Sequence, residues 1–310
     1  MPSPVHQPVL LGEVLEALKV HPGGRWLDAT LGRAGHAEAI LERSAPDGWL
    51  LGADCDEDAL VVGAERLERF GTRCELRRGN FSELASWVPP ASCDGVLLDL
   101  GVSSPQLDVA ERGFSFQRDG PLDMRMDRRQ SLTAAQLVNT SEESELARIF
   151  WEFGEEQASR RIARAIVAER GPRPLETTGQ LAQLVERVCP RGGRKTHPAT
   201  RVFQALRMVV NDEGRSLTSG LAAACSVLKP GGRLAIITFH SLEDRSVKDF
   251  GNLYSRDYEF EGSVDVPELR RPKPPILKWV QRKAIMPSEA ELEANPRARS
   301  AQLRILEKLG

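Results

Sequence analysis

The sequence contains little cysteine and no long apolar run, and both absences narrow the possible classes of protein. Its five cysteines are scattered along 310 residues and never form a C-x-x-C pair. That pattern is typical of reduced cytosolic thiols and gives no zinc-binding signature. No segment approaches the ~18 consecutive apolar residues of a membrane-spanning helix, and the first residues lack the charged and apolar regions of a signal peptide. We therefore predict a soluble, cytoplasmic protein with no metal.

An excess of positive charge is also missing, which excludes a generally basic nucleic-acid coat protein. The chain has 42 Lys+Arg against 44 Asp+Glu, a formal net charge of −2 and a sequence pI near 6.3. Local basic segments remain possible. Two segments carry six cations each and no acid, residues 187–207 and 270–283. Such segments are usually solvated faces, but they are also candidates for phosphate contacts.

The most informative segment is 94–106, which predicts a strand followed by a turn. Val96, Leu97 and Leu98 form an unbroken apolar run, typical of a strand buried on both faces of a parallel sheet. The run ends at Asp99, and the following glycine, serines and proline do not continue a strand. Two other predicted strands, in residues 25–30 and 48–54, reach Asp28 and Asp54. Because ligands bind outside the carboxyl ends of such strands, we expect the three aspartates to meet at one crevice.

The loop after the first predicted strand lacks the G-x-G-x-x-G sequence of a dinucleotide site, since it contains only Gly32 and Gly35. Acidic strand ends would repel a pyrophosphate, whereas Asp28 would suit a cationic amine. Asp54 lies 19 residues after Gly35, close to the ~20 at which a carboxylate binds ribose hydroxyls. Phe81 could cover an adenine, or could simply be a core residue. Three such aspartates suit S-adenosylmethionine better than NAD.

The pattern changes after Pro105, where successive helices follow with no strand between them. A βαβ repeat does not contain such a run, so residues 105–205 are predicted to be a helical insertion. Strands resume at 229–240, and 276–283 and 301–307 are predicted as closing strands. Residues 251–274 are expected to be loosely structured, and Ser241 is predicted as a helix N-cap before acids in the first turn.

Long motifs spread over nearly the whole chain give a resemblance to a known family. They are residues 6–10, 28–36, 97–108, 111–116, 121–127, 153–156, 197–207, 239–248 and 295–300. The chain resembles the bacterial 16S ribosomal RNA (cytosine-N4)-methyltransferase family, RsmH/MraW. One departure is Ala34, where the family usually has glycine. The extra methyl restricts the loop slightly and should not abolish binding.

The resemblance implies an α/β fold: a class I (Rossmann-like) methyltransferase sheet, residues 1–104 and 206–310, with an inserted helical substrate-recognition domain, residues 105–205. It implies S-adenosyl-L-methionine as the cofactor and methylation of the exocyclic N4 of one cytidine in the decoding region. The partner would be 16S rRNA within the small ribosomal subunit or a late assembly particle. Cofactor contacts are implied at Ala34, Gly35 and His36 in the loop, Asp54 at the ribose, Phe81 at the adenine, and Asp99 and Gln106 at the methionine end.

The chemistry requires acceptors for a poorly nucleophilic amine, held in line with the methyl donor. Amino-methyltransferases commonly use Asp/Asn-Pro-Pro-aromatic after the fourth strand, whereas this chain has Asp99-Leu-Gly-Val102. Our hypothesis is that Asp99, with a nearby backbone carbonyl, accepts from N4, while Ser103 or Ser104 shapes the pocket. His240 is a second catalytic candidate, equally compatible with a structural role. His197 is predicted to cap or orient the following helix.

Three other functions compete with this prediction. A methyltransferase for a small molecule or a protein amine is disfavoured by the basic segments and the helical insertion. A non-catalytic RNA-binding or assembly factor is disfavoured by the three intact aspartates, because a decayed cofactor site would not keep them. An NAD dehydrogenase is disfavoured by the missing glycine motif.

Overall fold

The computed structural model describes residues 8–193, 196–260 and 265–310. The chain divides into two units: residues up to Gly101 together with Arg215–Gly310, and Val102–Gly214. The sequence predicts the insertion at 105–205, so the second unit begins three residues earlier and ends nine residues later. The later end keeps the helix Ala199–Val210 whole.

The helices and strands follow the α/β pattern in the first unit and a helical pattern in the second. The strands are β1 (Arg25–Asp28), β2 (Trp49–Asp54), β3 (Cys74–Arg78), β4 (Cys93–Asp99), β5 (Leu228–Thr238), β6 (Tyr258–Phe260), β7 (Arg270–Pro272), β8 (Leu277–Trp279) and β9 (Gln302–Lys308). The helices are α1 (Leu11–Leu18), α2 (Gly35–Arg43), α3 (Glu57–Leu67), α4 (Leu84–Trp87), α5 (Ser104–Asp108), α6 (Ala134–Thr140), α7 (Glu143–Glu152), α8 (Ser159–Arg170), α9 (Thr178–Val188), α10 (Ala199–Val210), α11 (Glu213–Val227), α12 (Ser241–Tyr254) and α13 (Glu289–Ala294). None of the described helices is long and apolar enough to cross a bilayer.

One sheet in the first unit has the strand order β3-β2-β1-β4-β5-β9-β8. Strands β1 to β5 are mutually parallel, β9 is antiparallel to β5, and β8 is antiparallel to β9. The carboxyl ends of β1, β2 and β4 therefore lie at one edge. This is the predicted α/β sheet, and its strand order is that of a class I methyltransferase.

Burial on both faces explains why β4 has no polar alternation. Val96 and Leu98 pack with residues of α11 and α12, while Leu97 packs on the opposite face with residues of α1 and α2. All three side chains are fully buried. Each contributes roughly 1.5–3 kcal/mol by leaving water, so the register of β4, and with it the position of Asp99, is strongly fixed.

The second unit has its own hydrophobic core, formed mainly by α6 to α10. Phe150 of α7, Ile162 of α8 and Leu206 of α10 are fully buried in it. Sequence signals define its helix starts, since Thr133 and Thr177 each form a capping box with a glutamine three residues later. The prediction of a helical insertion in the α/β sheet is confirmed.

Three local predictions are wrong. The N-cap of α12 is His240 rather than Ser241, which is the first helical residue. Residues 251–274 were expected to be loose, but α12 continues to Tyr254, and β6 pairs antiparallel with β7; residues 261–264 lie outside the described residues. The predicted strand 276–283 is limited to Leu277–Trp279; the Val280 N–H still donates to the Ile305 carbonyl of β9, and residues 281–283 are no longer part of a strand.

Candidate active site

The three strand-end aspartates meet, as predicted, at the carboxyl edge of the sheet. The loop after β1 links them. The Gly32 N–H donates to Asp54 Oδ2 at 2.9 Å, and the Asp99 backbone N–H donates to Thr30 Oγ1 at 2.6 Å. Repulsion between the carboxylates is one of the causes that raise the pKa values of Asp28 and Asp99. The edge of this sheet is therefore an acidic cluster.

Asp28 lies inside the protein rather than facing a ligand. Its side chain is 1% exposed and accepts backbone N–H groups of Thr30 and of Ala37 in the first turn of α2. Burial, and secondly the charge of Asp54, raise its pKa to about 7. The interpretation of Asp28 as a partner for a cationic amine is therefore wrong, because the carboxylate instead holds the loop between β1 and α2.

Asp54 ends β2 and is partly exposed. Its carboxylate accepts two backbone hydrogen bonds, from Gly32 and from Asp56, each at 2.9 Å. Burial nevertheless raises its pKa to about 6. Each carboxylate oxygen can accept a second hydrogen bond. The two oxygens of Asp54 are therefore held in place and available for the two hydroxyls of a ribose, the role predicted from the 19-residue spacing after Gly35.

Asp99 is the most perturbed of these carboxyl groups. Burial, and to a smaller extent the charges of Asp28 and Glu243, together raise its pKa to about 8. Its Oδ1 is buried and has no hydrogen-bond partner among the described residues, while the side chain as a whole is 25% exposed. A buried carboxylate oxygen without a partner costs free energy. Together with the raised pKa, this makes Asp99 a candidate for contact with a ligand.

The implied cofactor-contacting residues 34–36 lie at the start of α2, where Ala34 is the N-cap. Ala34 adopts a left-handed conformation (φ 59°), which glycine adopts without strain, and it is fully buried. A side chain on Gly35 would collide with Pro8. His36 is buried, with its Nε2 2.9 Å from the Val9 carbonyl oxygen and its Nδ1 3.8 Å from Asp99 Oδ2.

Phe81 follows β3 and packs against α11. A Cβ on Gly220 would lie 2.2 Å from Phe81 Cδ2, so only glycine permits this contact. The neighbouring Asn80 side chain donates to Ser216 Oγ and accepts the Ser82 N–H. Phe81 is partly exposed, so the core role and the predicted adenine contact are compatible.

His240 begins α12 and forms a reciprocal cap with Glu243. Its Nδ1 accepts the Glu243 N–H, and its Nε2 lies 3.0 Å from Glu243 Oε1. Glu243 in turn accepts the N–H groups of Phe239 and His240. These bonds account for His240 structurally, and a catalytic role for it stays a prediction.

Ser103 and Gln106 belong to the second unit, at the start of α5. Gln106 is buried, and its Oε1 accepts the Ser103 N–H at 2.9 Å. In the same unit His197 Nδ1 accepts the Ala199 N–H, so its predicted orienting role is confirmed. The roles predicted for Ser103 in catalysis and for Gln106 at the methionine end stay predictions.

Sequence reasoning missed Asn211. Its side chain accepts the Met126 N–H and donates to the Met124 carbonyl, which holds the motif 121–127 in place. Met124 is fully buried with φ 64°, a strained conformation for a bulky residue. A single asparagine at a helix end carries no signal that would have predicted this contact.

The residues present fit a cationic cofactor and not a pyrophosphate. Asp54 and Asp99 have no Lys or Arg ion-pair partner among the described residues, and Asp99 Oδ1 has no hydrogen-bond partner there. A sulfonium or ammonium would relieve the repulsion between these carboxylates, whereas phosphate groups would increase it.

Comparison with known proteins identifies the family. A model described as the MraW methylase family matches residues 3–309. The chain belongs to this family. Ribosomal RNA small subunit methyltransferase H of Xanthomonas euvesicatoria pv. vesicatoria (strain 85-10) is 52% identical over 309 residues, which cover 100% of this chain and 90% of that protein. The protein with the same description from Symbiobacterium thermophilum is 50% identical, with coverages of 98% and 96%.

A solved structure described as an rRNA methylase from Streptococcus thermophilus aligns with a TM-score of 0.45 and 12% identity, covering 99% of this chain and 100% of that chain. The family resemblance predicted from the motifs is confirmed by the MraW methylase match, which extends over nearly the whole sequence.

Proposed function

We propose that this protein transfers the methyl group of S-adenosylmethionine to the exocyclic N4 of a cytidine in the decoding region of small-subunit ribosomal RNA. The observation that carries the proposal is Asp99, a carboxyl group with an unpartnered buried oxygen, at the end of the central strand of a methylase-family sheet. Membership of the MraW methylase family and about 50% identity to proteins named ribosomal RNA small subunit methyltransferase H support the substrate.

The cofactor, when bound, supplies an electrophilic methyl group on a positively charged sulfur. Asp54 would hold the ribose hydroxyls, the backbone of Ala34 and Gly35 would line the loop, and Phe81 would cover the adenine. Asp99 would accept a hydrogen bond from the cytosine amine. Because the N4 lone pair is delocalised into the ring, an acceptor that favours a pyramidal nitrogen increases its nucleophilicity. The target base must be unstacked or already single-stranded to reach such a site.

Of the two basic segments, 270–283, which belongs to the first unit, is the better candidate for RNA contacts. Arg270 is paired with Asp265 and Lys278 with Glu307. Exposed Arg282 and Lys283 have no ion-pair partner among the described residues. Cations that are not neutralised internally are available for phosphates.

The segment 187–207 is less available. Arg187 pairs with Glu169 and Arg207 with Glu213, while Arg201 donates to the Glu155 carbonyl. Arg194 and Lys195 lie outside the described residues. We therefore regard segment 270–283 as the first candidate for contacts with RNA phosphates.

The test is transfer of tritium from labelled S-adenosylmethionine to small ribosomal subunits from cells that lack this protein, followed by nucleoside analysis. We expect label in N4-methylcytidine with the wild type and none with Asp99→Asn. Asp94→Asn, at the opposite end of β4, is the matched control and should remain active. Label in another nucleoside, or cofactor binding without transfer to RNA, would contradict the substrate assignment.

A further inference from the structure

The carboxyl edge of the sheet continues from Asp99 across β5 and β9. Strand pairing places Asp99 opposite Ile237 of β5, and Ile237 opposite Leu303 of β9. Leu303 in turn pairs with Ile285, in the chain that follows β8. Because neighbouring strands lie about 4.8 Å apart, the backbone of Leu303 is about 10 Å from that of Asp99, and Ile285 about 15 Å. The segments that lead into Leu303 and Ile285 therefore lie near the acidic cluster.

The first of these segments is the turn 280–285, which carries two exposed cations. Backbone hydrogen bonds to β9 hold both of its ends, and the buried Arg304 side chain donates to the Arg282 carbonyl at 3.2 Å. The side chains of Arg282 and Lys283 are exposed and have no ion-pair partner among the described residues. Two positive charges are thus presented on a fixed backbone.

The second segment is the family motif 295–300, to which the proposed function gives no role. It forms a short 3₁₀ helix, Pro296–Ser300, immediately before β9. Ala298 in this helix and Ala301 after it are fully buried and anchor the segment. The Arg299 side chain between them is exposed, and no described residue forms an ion pair with it. Arg299 therefore adds a third cation at the same edge of the sheet.

The acids closest in sequence to Arg299 lie on α13. Glu291 accepts the Leu10 N–H at 2.7 Å, while Glu289 and Glu293 are exposed. These acids keep the surrounding surface from being uniformly basic, so the three cations form a local patch.

The carboxyl edge is consequently divided in charge on either side of β4. Asp28 and Asp54 lie on the side of β1 and β2, and the cations lie on the side of β9. Phosphate groups are repelled by the first side and attracted by the second. An RNA strand whose base reaches Asp99 is therefore favoured to leave the site across β5 and β9.

Resting on the proposed function, we infer that Arg282, Lys283 and Arg299 form one phosphate-binding surface for the RNA strand that carries the target cytidine. A stacked strand advances about 3.4 Å per nucleotide, so 10–15 Å corresponds to roughly three or four nucleotides from the target. Contacts to phosphates position a strand and do not read its bases. The surface thus sets where the strand lies, and the site at Asp99 acts on the base.

The test is binding of a fluorescein-labelled single-stranded RNA of about 12 nucleotides, uridines around one cytidine, at several salt concentrations. On a single strand each phosphate contact contributes a slope of about 0.7 in a plot of log affinity against log salt, which is about fivefold at 0.1 M salt. We therefore expect Arg282→Gln/Lys283→Gln to bind about 25-fold more weakly than the wild type, with a slope smaller by about 1.4. Arg299→Gln should bind about fivefold more weakly.

The matched control removes two exposed cations from the opposite edge of the sheet. Lys19→Gln/Arg43→Gln changes the net charge by the same amount and should bind the RNA like the wild type. Calorimetry should give S-adenosylmethionine affinities within about twofold of the wild type for every variant, because none of these side chains lies on the cofactor side of the edge.

Equal affinities and equal salt slopes in the wild type and Arg282→Gln/Lys283→Gln would overturn the inference, as would an equal loss in the control variant. Weaker binding to small ribosomal subunits with unchanged binding to the protein-free RNA would also overturn it, because the partner would then be an acidic protein. If the wild type transfers no methyl group to ribosomal RNA, the proposed function fails, and the RNA titration still decides whether this surface binds phosphates.

Discussion

Replacing Asp99 by asparagine should stabilise the folded protein while abolishing its activity. Burial and two neighbouring carboxylates raise the pKa of Asp99 from 3.8 to about 8. The folded protein therefore holds a proton that the unfolded chain releases between those two values. Stability that depends on this proton is fully present below pH ~4 and is lost as the pH rises towards ~8. Asparagine has nearly the same shape and never ionises, so Asp99→Asn should not show this loss of stability as the pH rises.

The magnitude follows from the difference between the two pKa values. Each pH unit corresponds to 1.36 kcal/mol, so the full difference corresponds to on the order of 5 kcal/mol above pH ~8. A quarter of the Asp99 side chain is exposed, and water reduces the cost of its charge. We therefore expect a measured gain of about 2–3 kcal/mol at alkaline pH and close to zero near pH 4.

The assay is urea unfolding of the wild type and Asp99→Asn at about pH 5, 7 and 8.5. The quantity to follow is the difference in the free energy of unfolding between the two proteins at each pH. Asp28 and Asp54 also have raised pKa values, but both proteins contain them, so their contribution cancels in this difference. Asp94→Asn on the same strand should lose stability slightly, through its contact with Lys229. A stability difference that does not grow with pH would refute the reasoning.

Three further predictions concern other parts of the first unit. Asp54→Asn should weaken S-adenosylmethionine binding about 10- to 100-fold, because hydrogen bonds to a charged acceptor contribute roughly 1.5–3 kcal/mol, as measured by calorimetry. Ala34→Gly should raise the free energy of unfolding by up to about 1 kcal/mol, because it relieves a left-handed alanine. Arg304→Met should cost about 1.5–3 kcal/mol, because it removes the buried cation that hydrogen-bonds Asp244 and leaves Lys248 as the ion-pair partner of that carboxylate.

Each of these has its own control. Asp54→Asn should change the maximal rate at saturating cofactor far less than Asp99→Asn does, and an equal loss of rate would contradict the assignment of Asp54 to binding. A destabilised Ala34→Gly protein would show that burial of the alanine methyl group outweighs the strain. Arg304 holds the pKa of Asp244 below its usual range, so adding Asp244→Leu to Arg304→Met should recover part of the lost stability.

The sheet and its acidic edge could be predicted because the relevant signals are local. An apolar run followed by an aspartate and a turn was sufficient to predict strand β4 and the position of Asp99 at its end. The same reasoning located Asp54. It did not reveal that Asp28 is buried, because exposure of a strand-end side chain depends on where the next helix begins. Here the N–H of Ala37 in α2 covers the carboxylate.

The other errors concern features that local sequence patterns do not determine. Serine is a common N-cap, yet His240 caps α12 because its ring and Glu243 bond reciprocally. Strands β6 and β7 are three residues each, too short for a periodic pattern, and their register places Glu259 opposite Arg271 and Phe260 opposite Arg270. The contacts of Asn211 join segments 85 and 87 residues apart in the chain, which no single-sequence pattern encodes.

The most direct test of the central claim, that the strand-end carboxylates bind a cationic methyl donor, is calorimetric. S-adenosylmethionine binding should be measured between about pH 6 and pH 7 in buffers of different ionisation enthalpy, a range in which the ammonium of the ligand stays protonated. A cation next to Asp99 lowers its pKa from about 8, so binding should release protons and tighten as the pH rises. Asp99→Asn should release fewer protons. Binding without proton release and with an affinity independent of pH would contradict the account.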